Sequence, residues 1–129
     1  MNKTYHLLRR LFCGNKEKTI IIKKRLVAAE FRANRKNLVF DLTFDDVLDI
    51  LAKQNGRCYL TNEPLTFKKK DKNVISFDRD NPPLGYTKKN LNLVTAQVNK
   101  CKSDNPTPEF LDLCGKVHNN RHNIKPKNL

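Results

Sequence analysis

Two adjacent prolines, Pro82-Pro83, stand between two short apolar runs, and no single element can pass through them. Neither has an N–H to give to a sheet ladder, so any strand before them must end there. Val74, Ile75 and Phe77 before the prolines read as a short strand, and residues 91–94 read as its return after a loop. Residues 95–102 then favour a helix. The resulting order is strand, loop, strand, helix. A hairpin packed on a helix can aim an acid from the end of its first strand and an amide from the helix at one point, as a hard cation with oxygen ligands requires. Asp78 and Asn99 occupy those two places.

Upstream, residues 43–54 carry the clearest helical signal. Thr43 is an N-cap, Asp45 and Asp46 suit the dipole of the first turn, and Phe44, Val47, Leu48 and Leu51 share one face. Asn55-Gly56 ends it. Residues 19–34 begin with Ile20, Ile21 and Ile22, which suit a strand, but Ala28, Ala29 and Ala33 further on favour a helix over the whole stretch. Residues 5–12 have Leu7, Leu8, Leu11 and Phe12 at helical spacing before Gly14. Arg57 to Leu60 reads as another short strand. Thr107-Pro108 reads as N-cap and first turn of a last helix with Phe110, Leu113, Cys114 and Val117 on its apolar face. The tail from Asn119 is polar.

At 129 residues the chain suits one domain with a modest core. Its 26 Lys plus Arg against 13 Asp plus Glu give a formal charge of +13, and a polyanion is the natural partner. Eleven of those basic residues lie in the first 40 positions against two acidic ones. Lys23, Lys24, Arg25, Arg32, Arg35 and Lys36 of this arm, with Lys100 and Lys102 later, are the candidate nucleic-acid contacts. No apolar run approaches the ~20 residues of a spanning helix, and the start carries no signal-peptide pattern. A cytoplasmic, intracellular protein is expected, with no membrane partner. Cys13, Cys58, Cys101 and Cys114 form no CxxC pair and announce neither a disulfide framework nor a zinc knuckle. Cys58 and Cys114 read as small buried apolar residues. His118 and His122 are four apart but lack a third ligand.

The stretch Ser76-Phe77-Asp78-Arg79, Gly85-Tyr86-Thr87, Asn90, Val94, Asn99 and Lys102 resembles the HNH, or His-Me finger, endonucleases, particularly a phage- and virus-type branch. The likeness extends upstream through Ala33-Asn34-Arg35, Phe40-Asp41-Leu42-Thr43 and Gln54-Asn55-Gly56-Arg57-Cys58 to Thr61 and Leu65, and downstream to Glu109-Phe110-Leu111, so that residues 33–114 are covered in order. The resemblance implies an α+β fold: a helical N-terminal part, a ββα-metal motif, and a closing C-terminal helix. It places a basic helical arm at 1–40, the nuclease domain at 41–118 and a polar tail at 119–129. It implies that Asp78 and Asn99 ligate Mg²⁺ or another divalent cation such as Mn²⁺, that Asn90 holds the loop, and that Lys102 contacts phosphate.

The chain departs from that pattern at Arg79, where the family's general base is His. A guanidinium stays protonated and cannot take a proton from water, though it can hold a phosphate. Asp80 is the nearest residue able to act as a base. Thr61 and Thr95 stand where many relatives have zinc cysteines, so no structural zinc is expected. The implied activity is metal-dependent hydrolysis of phosphodiester bonds in double-stranded DNA, with Asp78, Arg79, Asn90 and Asn99 at the site. The alternative is an HNH-fold DNA-binding protein with impaired catalysis.

Overall fold

A computed structural model describes residues 3, 6, 7, 9, 10 and 14–127. Within it, Asn15 caps a long helix α1 (Lys16–Lys36) by accepting from the Lys18 N–H at 3.1 Å, and Asn37, at φ 54°, closes it in the left-handed conformation. Ile21 and Ile22 are therefore helical, and with Ala29 and Ala33 they face the core. A short strand β1 (Phe40–Asp41) leads into α2 (Phe44–Lys53). Here Thr43 Oγ1 accepts from the Asp46 N–H at 3.1 Å, and Asp46 Oδ2 accepts from the Thr43 N–H at 3.0 Å. Such a reciprocal cap satisfies two backbone donors that a helix start otherwise leaves open.

The second half is built on an antiparallel pair, β2 (Ile75–Arg79) and β4 (Leu91–Thr95), in register from Ile75 opposite Thr95 to Arg79 opposite Leu91. Between them Pro82–Leu84 forms a single 3₁₀ turn, and β3 (Tyr86–Thr87) pairs in parallel with β1. Thr95 caps α3 (Ala96–Lys102) by accepting from the Val98 N–H at 3.2 Å. The last helix, α4 (Thr107–Asn119), follows a short turn. The architecture is α+β. Ile22, Leu48, Leu51, Ile75, Leu93 and Val94 are fully buried in one core shared by α1, α2 and the β2–β4 pair. Gln54 ties these parts together, since its Nε2 donates to Leu93 O at 2.8 Å and its Oε1 accepts from the Leu93 N–H at 3.1 Å.

Several expectations need correction. The basic N-terminal segment does not stand off as an arm, since Ile21, Ile22, Ala29 and Ala33 of α1 belong to the core shared with α2 and the β2–β4 pair. Residues 57–60 form no strand. Asn55, Gly56 and Asn62 all have positive φ, which turns the chain back on itself and leaves a lone bridge between Arg57 and Pro64. In α4, Pro106 holds the N-cap position, with Thr107 inside the helix. Leu111, Leu113, Cys114 and Val117 are exposed on it and Phe110 is half-buried, so the apolar face is turned to solvent; of the two cysteines expected inside, Cys58 is buried and Cys114 is not. His6, Leu7, Arg9 and Arg10 are helical, while Tyr5, Leu8, Leu11, Phe12 and Cys13 lie outside the described residues. No helix among the described residues is long and apolar enough to cross a membrane.

Gly85 is what lets β3 reach β1. Its φ is 77°, and a Cβ there would lie 2.4 Å from Val39 O and 2.9 Å from Val39 N, while the neighbouring Tyr86 N–H donates to that same Val39 O at 2.8 Å. Backbone atoms on both sides cannot yield as a side chain would. Gly85→Ala is expected to cost about 3 kcal/mol or more from strain and overpacking combined, read as a lowered urea midpoint; an unchanged midpoint would contradict this account of the strand pairing.

Candidate functional site

Where β2 ends, Asp78 and Arg79 meet the C-terminal half of α3 and the last turns of α1 around a cavity of about 170 Å³. Its lining includes Arg32 and Lys36 from α1, Asp78 and Arg79 from β2, Tyr86 from β3 and Asn99 from α3. Asp78 and Asn99, paired by sequence reasoning, thus open on one space. The two ends of α3 are fixed differently: Thr95 sets its start, and the Asp78–Lys102 contact holds its last residue against the strand.

Asp78 is 2 % exposed on its side chain and Lys102 is 0 % exposed. Lys102 Nζ donates to Asp78 Oδ1 at 2.9 Å and to Arg79 O at 3.0 Å. Burial pushes the Asp78 carboxyl above the usual carboxylate range, and the Lys102 ammonium pulls part of the way back. Its other oxygen, Oδ2, is buried and has no hydrogen-bond partner. A buried carboxylate oxygen without a donor is costly, and such groups mark places where an ion or water completes the structure. Asn99 donates from Nδ2 to Ser76 Oγ at 2.7 Å and to Phe77 O at 3.2 Å, which directs its amide along the strand and keeps Oδ1 as an acceptor. One carboxylate oxygen and one amide oxygen are hard donors of the kind that Mg²⁺ and Mn²⁺ take, with water or phosphate filling the remaining positions. In that respect the residues fit a divalent cation. Among the described residues no three His, Cys, Asp or Glu side chains gather into a metal-binding group.

Lys102 was expected to reach phosphate from the surface, and its complete burial removes it from that role. It is the internal counter-charge of Asp78. Arg79 lines the cavity, largely enclosed: its Nη1 donates to Pro82 O at 3.2 Å, its Nη2 donates to Asp104 Oδ1 at 3.0 Å, and its guanidinium lies 5.2 Å from the centre of the Tyr86 ring. Arg32 Nη1 donates to Tyr86 Oη at 3.2 Å, and Lys36 Nζ stands 3.8 Å from Asp104 Oδ2. Three cationic groups therefore wall one side of the cavity. Asp104 was not foreseen. It reaches the site because Ser103, at φ 51°, turns the chain sharply at the end of α3, a bend that no residue pattern announces.

Asn90 lies outside the cavity and clasps the loop beside it. Its Oδ1 accepts from the Asn81 N–H at 3.0 Å, and its Nδ2 donates to Asn81 O at 2.9 Å and Gly85 O at 2.7 Å. Asp80 faces away, accepting from Asn92 Nδ2 at 3.0 Å, and does not line the cavity, so it is not placed as a base there. His118 and His122 are exposed on and after α4, remote in sequence from every lining residue of β2 and β3. Of the basic residues named from sequence, Lys23, Lys24, Arg35, Lys36 and Lys100 are exposed. Arg25 is half-buried and donates from Nε to Ile75 O at 2.9 Å, tying α1 to β2.

Compared with protein-family models, curated proteins and solved structures, the chain finds no match in any of the three.

Removing one member of a buried ion pair strands the other. Lys102→Met is expected to lower stability by about 3–5 kcal/mol, and combining it with Asp78→Asn should cost less than Lys102→Met alone. Denaturant unfolding of the two single variants and the double gives the coupling directly; additive losses would show that the contact contributes nothing of its own.

Proposed function

We propose that this chain is a divalent-metal-dependent DNA endonuclease of the HNH type, with β2, β4 and α3 as its ββα-metal motif. The observation that carries the reading is the partnerless, buried Oδ2 of Asp78, a residue that lines the same cavity as Asn99, Arg32, Lys36 and Arg79. The ordered likeness of residues 33–114 to that family supports it. Asp78 Oδ2 and Asn99 Oδ1 would hold Mg²⁺ or Mn²⁺. When bound there, such a cation supplies Lewis-acid polarisation of the scissile phosphate and stabilises the departing 3′ oxygen.

The side chains do the rest. Arg79, held in place by Pro82 O and Asp104, presents a fixed guanidinium to phosphate oxygens, and Arg32 and Lys36 add charge beside it. Asn90 keeps the 81–90 loop closed, so that Arg79 and Tyr86 keep their spacing. Arg79 cannot accept the proton of an attacking water. General-base assistance is commonly worth about 10²–10⁴-fold, and the wild-type rate is expected to fall short of a His-bearing site by a factor of that order.

A second reading, a DNA-binding protein of the same architecture without catalysis, is favoured by Lys102. Its ammonium already neutralises Asp78, and a second cation beside that carboxylate meets like charge. Plasmid nicking separates the two. The nuclease reading predicts Mg²⁺- or Mn²⁺-dependent nicking that chelator abolishes and that the Asp78→Asn, Lys102→Met double variant loses while still binding DNA. The absence of nicking across several divalent metals, with steeply salt-dependent, chelator-insensitive binding intact, would leave the binding reading in its place.

A further inference from the structure

The outward face of α1 carries an unusual combination for a surface helix. Val27 and Phe31 are 69 % and 66 % exposed, and Ile20 lies on the same side. Lys23, Lys24, Arg32 and Arg35 surround them, with Val27 and Phe31, in an open hollow of about 580 Å³. At one end Lys24 also lines a second hollow with Phe67, Lys68 and Lys69; at the other Arg32 also lines the Asp78 cavity. The three hollows are thus neighbours along α1, adjoining at Lys24 and at Arg32, and their charged lining is mostly basic, with Glu17 an acid in the second and Asp78 and Asp104 in the third. The Arg35 guanidinium lies over the Phe31 ring, 5.7 Å from its centre, while the residue as a whole stays exposed.

A duplex presents phosphates outward and keeps its bases stacked inside, so it has no use for an apolar centre in a basic path. A single strand has both parts: phosphates for a basic rim, and base faces that stack on an aromatic side chain. From Ile20 to Arg32 the helix rises about 18 Å, which accommodates about five nucleotides at the spacing of a stacked strand. A second copy of this chain fits the face poorly, since the charged residues of α1 are eight basic and two acidic and two such faces would repel.

We infer that the outer face of α1 is a track for an unpaired DNA strand, with Phe31 as a base-stacking platform that delivers the strand through Arg32 to the Asp78 cavity. This rests on the nuclease reading for its direction of travel, but not for the binding itself. The substrate class becomes DNA with an unpaired segment, such as a flap, a gap or a single strand, rather than uninterrupted duplex.

Fluorescence anisotropy in the presence of chelator tests the track without cleavage, using single-stranded and duplex oligonucleotides of about 12 nucleotides. The single strand should bind about tenfold more tightly than the duplex. Phe31→Ala should weaken single-strand binding about tenfold and duplex binding less than about twofold, while Phe31→Tyr keeps the preference. The exposure of Phe31 makes these substitutions compatible with folding. Replacing Lys24 and Arg35 together by Gln should flatten the salt dependence on single strands by about 1.4 in the log–log slope. Equal affinity for both forms, an unaffected Phe31→Ala variant, concentration-dependent dimerisation lost in Phe31→Ala, or tighter binding to phosphatidylserine-containing vesicles than to DNA would each overturn the proposal. Single-strand preference without cleavage of the single strand in Mg²⁺ or Mn²⁺ would keep the track and remove the nuclease; metal-dependent cleavage with no strand preference would do the reverse.

Discussion

The buried ion pair between Lys102 and Asp78 is the contact on which the geometry of the cavity depends. It closes α3 onto the end of β2, and the second bond from Lys102 to Arg79 O fixes the backbone where the strand stops. With that end held, Asn99 one turn earlier faces Ser76 and Phe77, and Ser103 turns the chain so that Asp104 meets Arg79. Desolvating two charges is expensive, and a pair of this kind is retained for what it specifies as much as for stability. Here it specifies one free carboxylate oxygen. Lys102 takes Oδ1 and leaves Oδ2 buried without a partner.

Charge is sorted around that point. The ammonium is inside, the guanidinium of Arg79 and the basic groups of α1 form the outer wall, and Asp104 ties two of them together. With Lys102 already paired to Asp78, the basic side chains Arg32, Lys36 and Arg79 outnumber the acids that line the cavity, and its field favours an anion. The basic face of α1 extends the same field outward, so that the helix that supplies core residues on one side carries exposed basic and apolar groups on the other.

Much of this order was legible in the residues, for physical reasons that differ from element to element. Pro82-Pro83 forces a break, Thr43 with Asp46 forces a helix start, and the alternation of Ile75, Phe77, Leu91 and Leu93 sets the hairpin. Local chemistry decides these features, so a sequence displays them. Asp78 and Asn99 could be paired because strand, loop and helix lengths place them. What stayed hidden depends on distant partners. A lysine near a helix end reads as solvated unless its buried acid is known, so Lys102 was misjudged, and Asp80 looked available because its bond to Asn92 crosses between strands. The exposed apolar face of α4 follows the same logic: periodicity identifies a face but not whether anything packs on it. Residues 57–60 misled because their β-compatible side chains lie between turns made by Asn55, Gly56 and Asn62.

The proposed cation site joins Asp78 Oδ2 and Asn99 Oδ1 beside an internal Lys102. A crystal grown with Mn²⁺ and measured at a wavelength where manganese scatters anomalously tests this most directly. The account predicts an anomalous peak in the Asp78–Asn99 cavity within coordination distance of both oxygens, roughly 2.0–2.2 Å, with Lys102 still on Oδ1. A fully occupied crystal form with no peak there, and a water or a side-chain donor on Oδ2 instead, would contradict it.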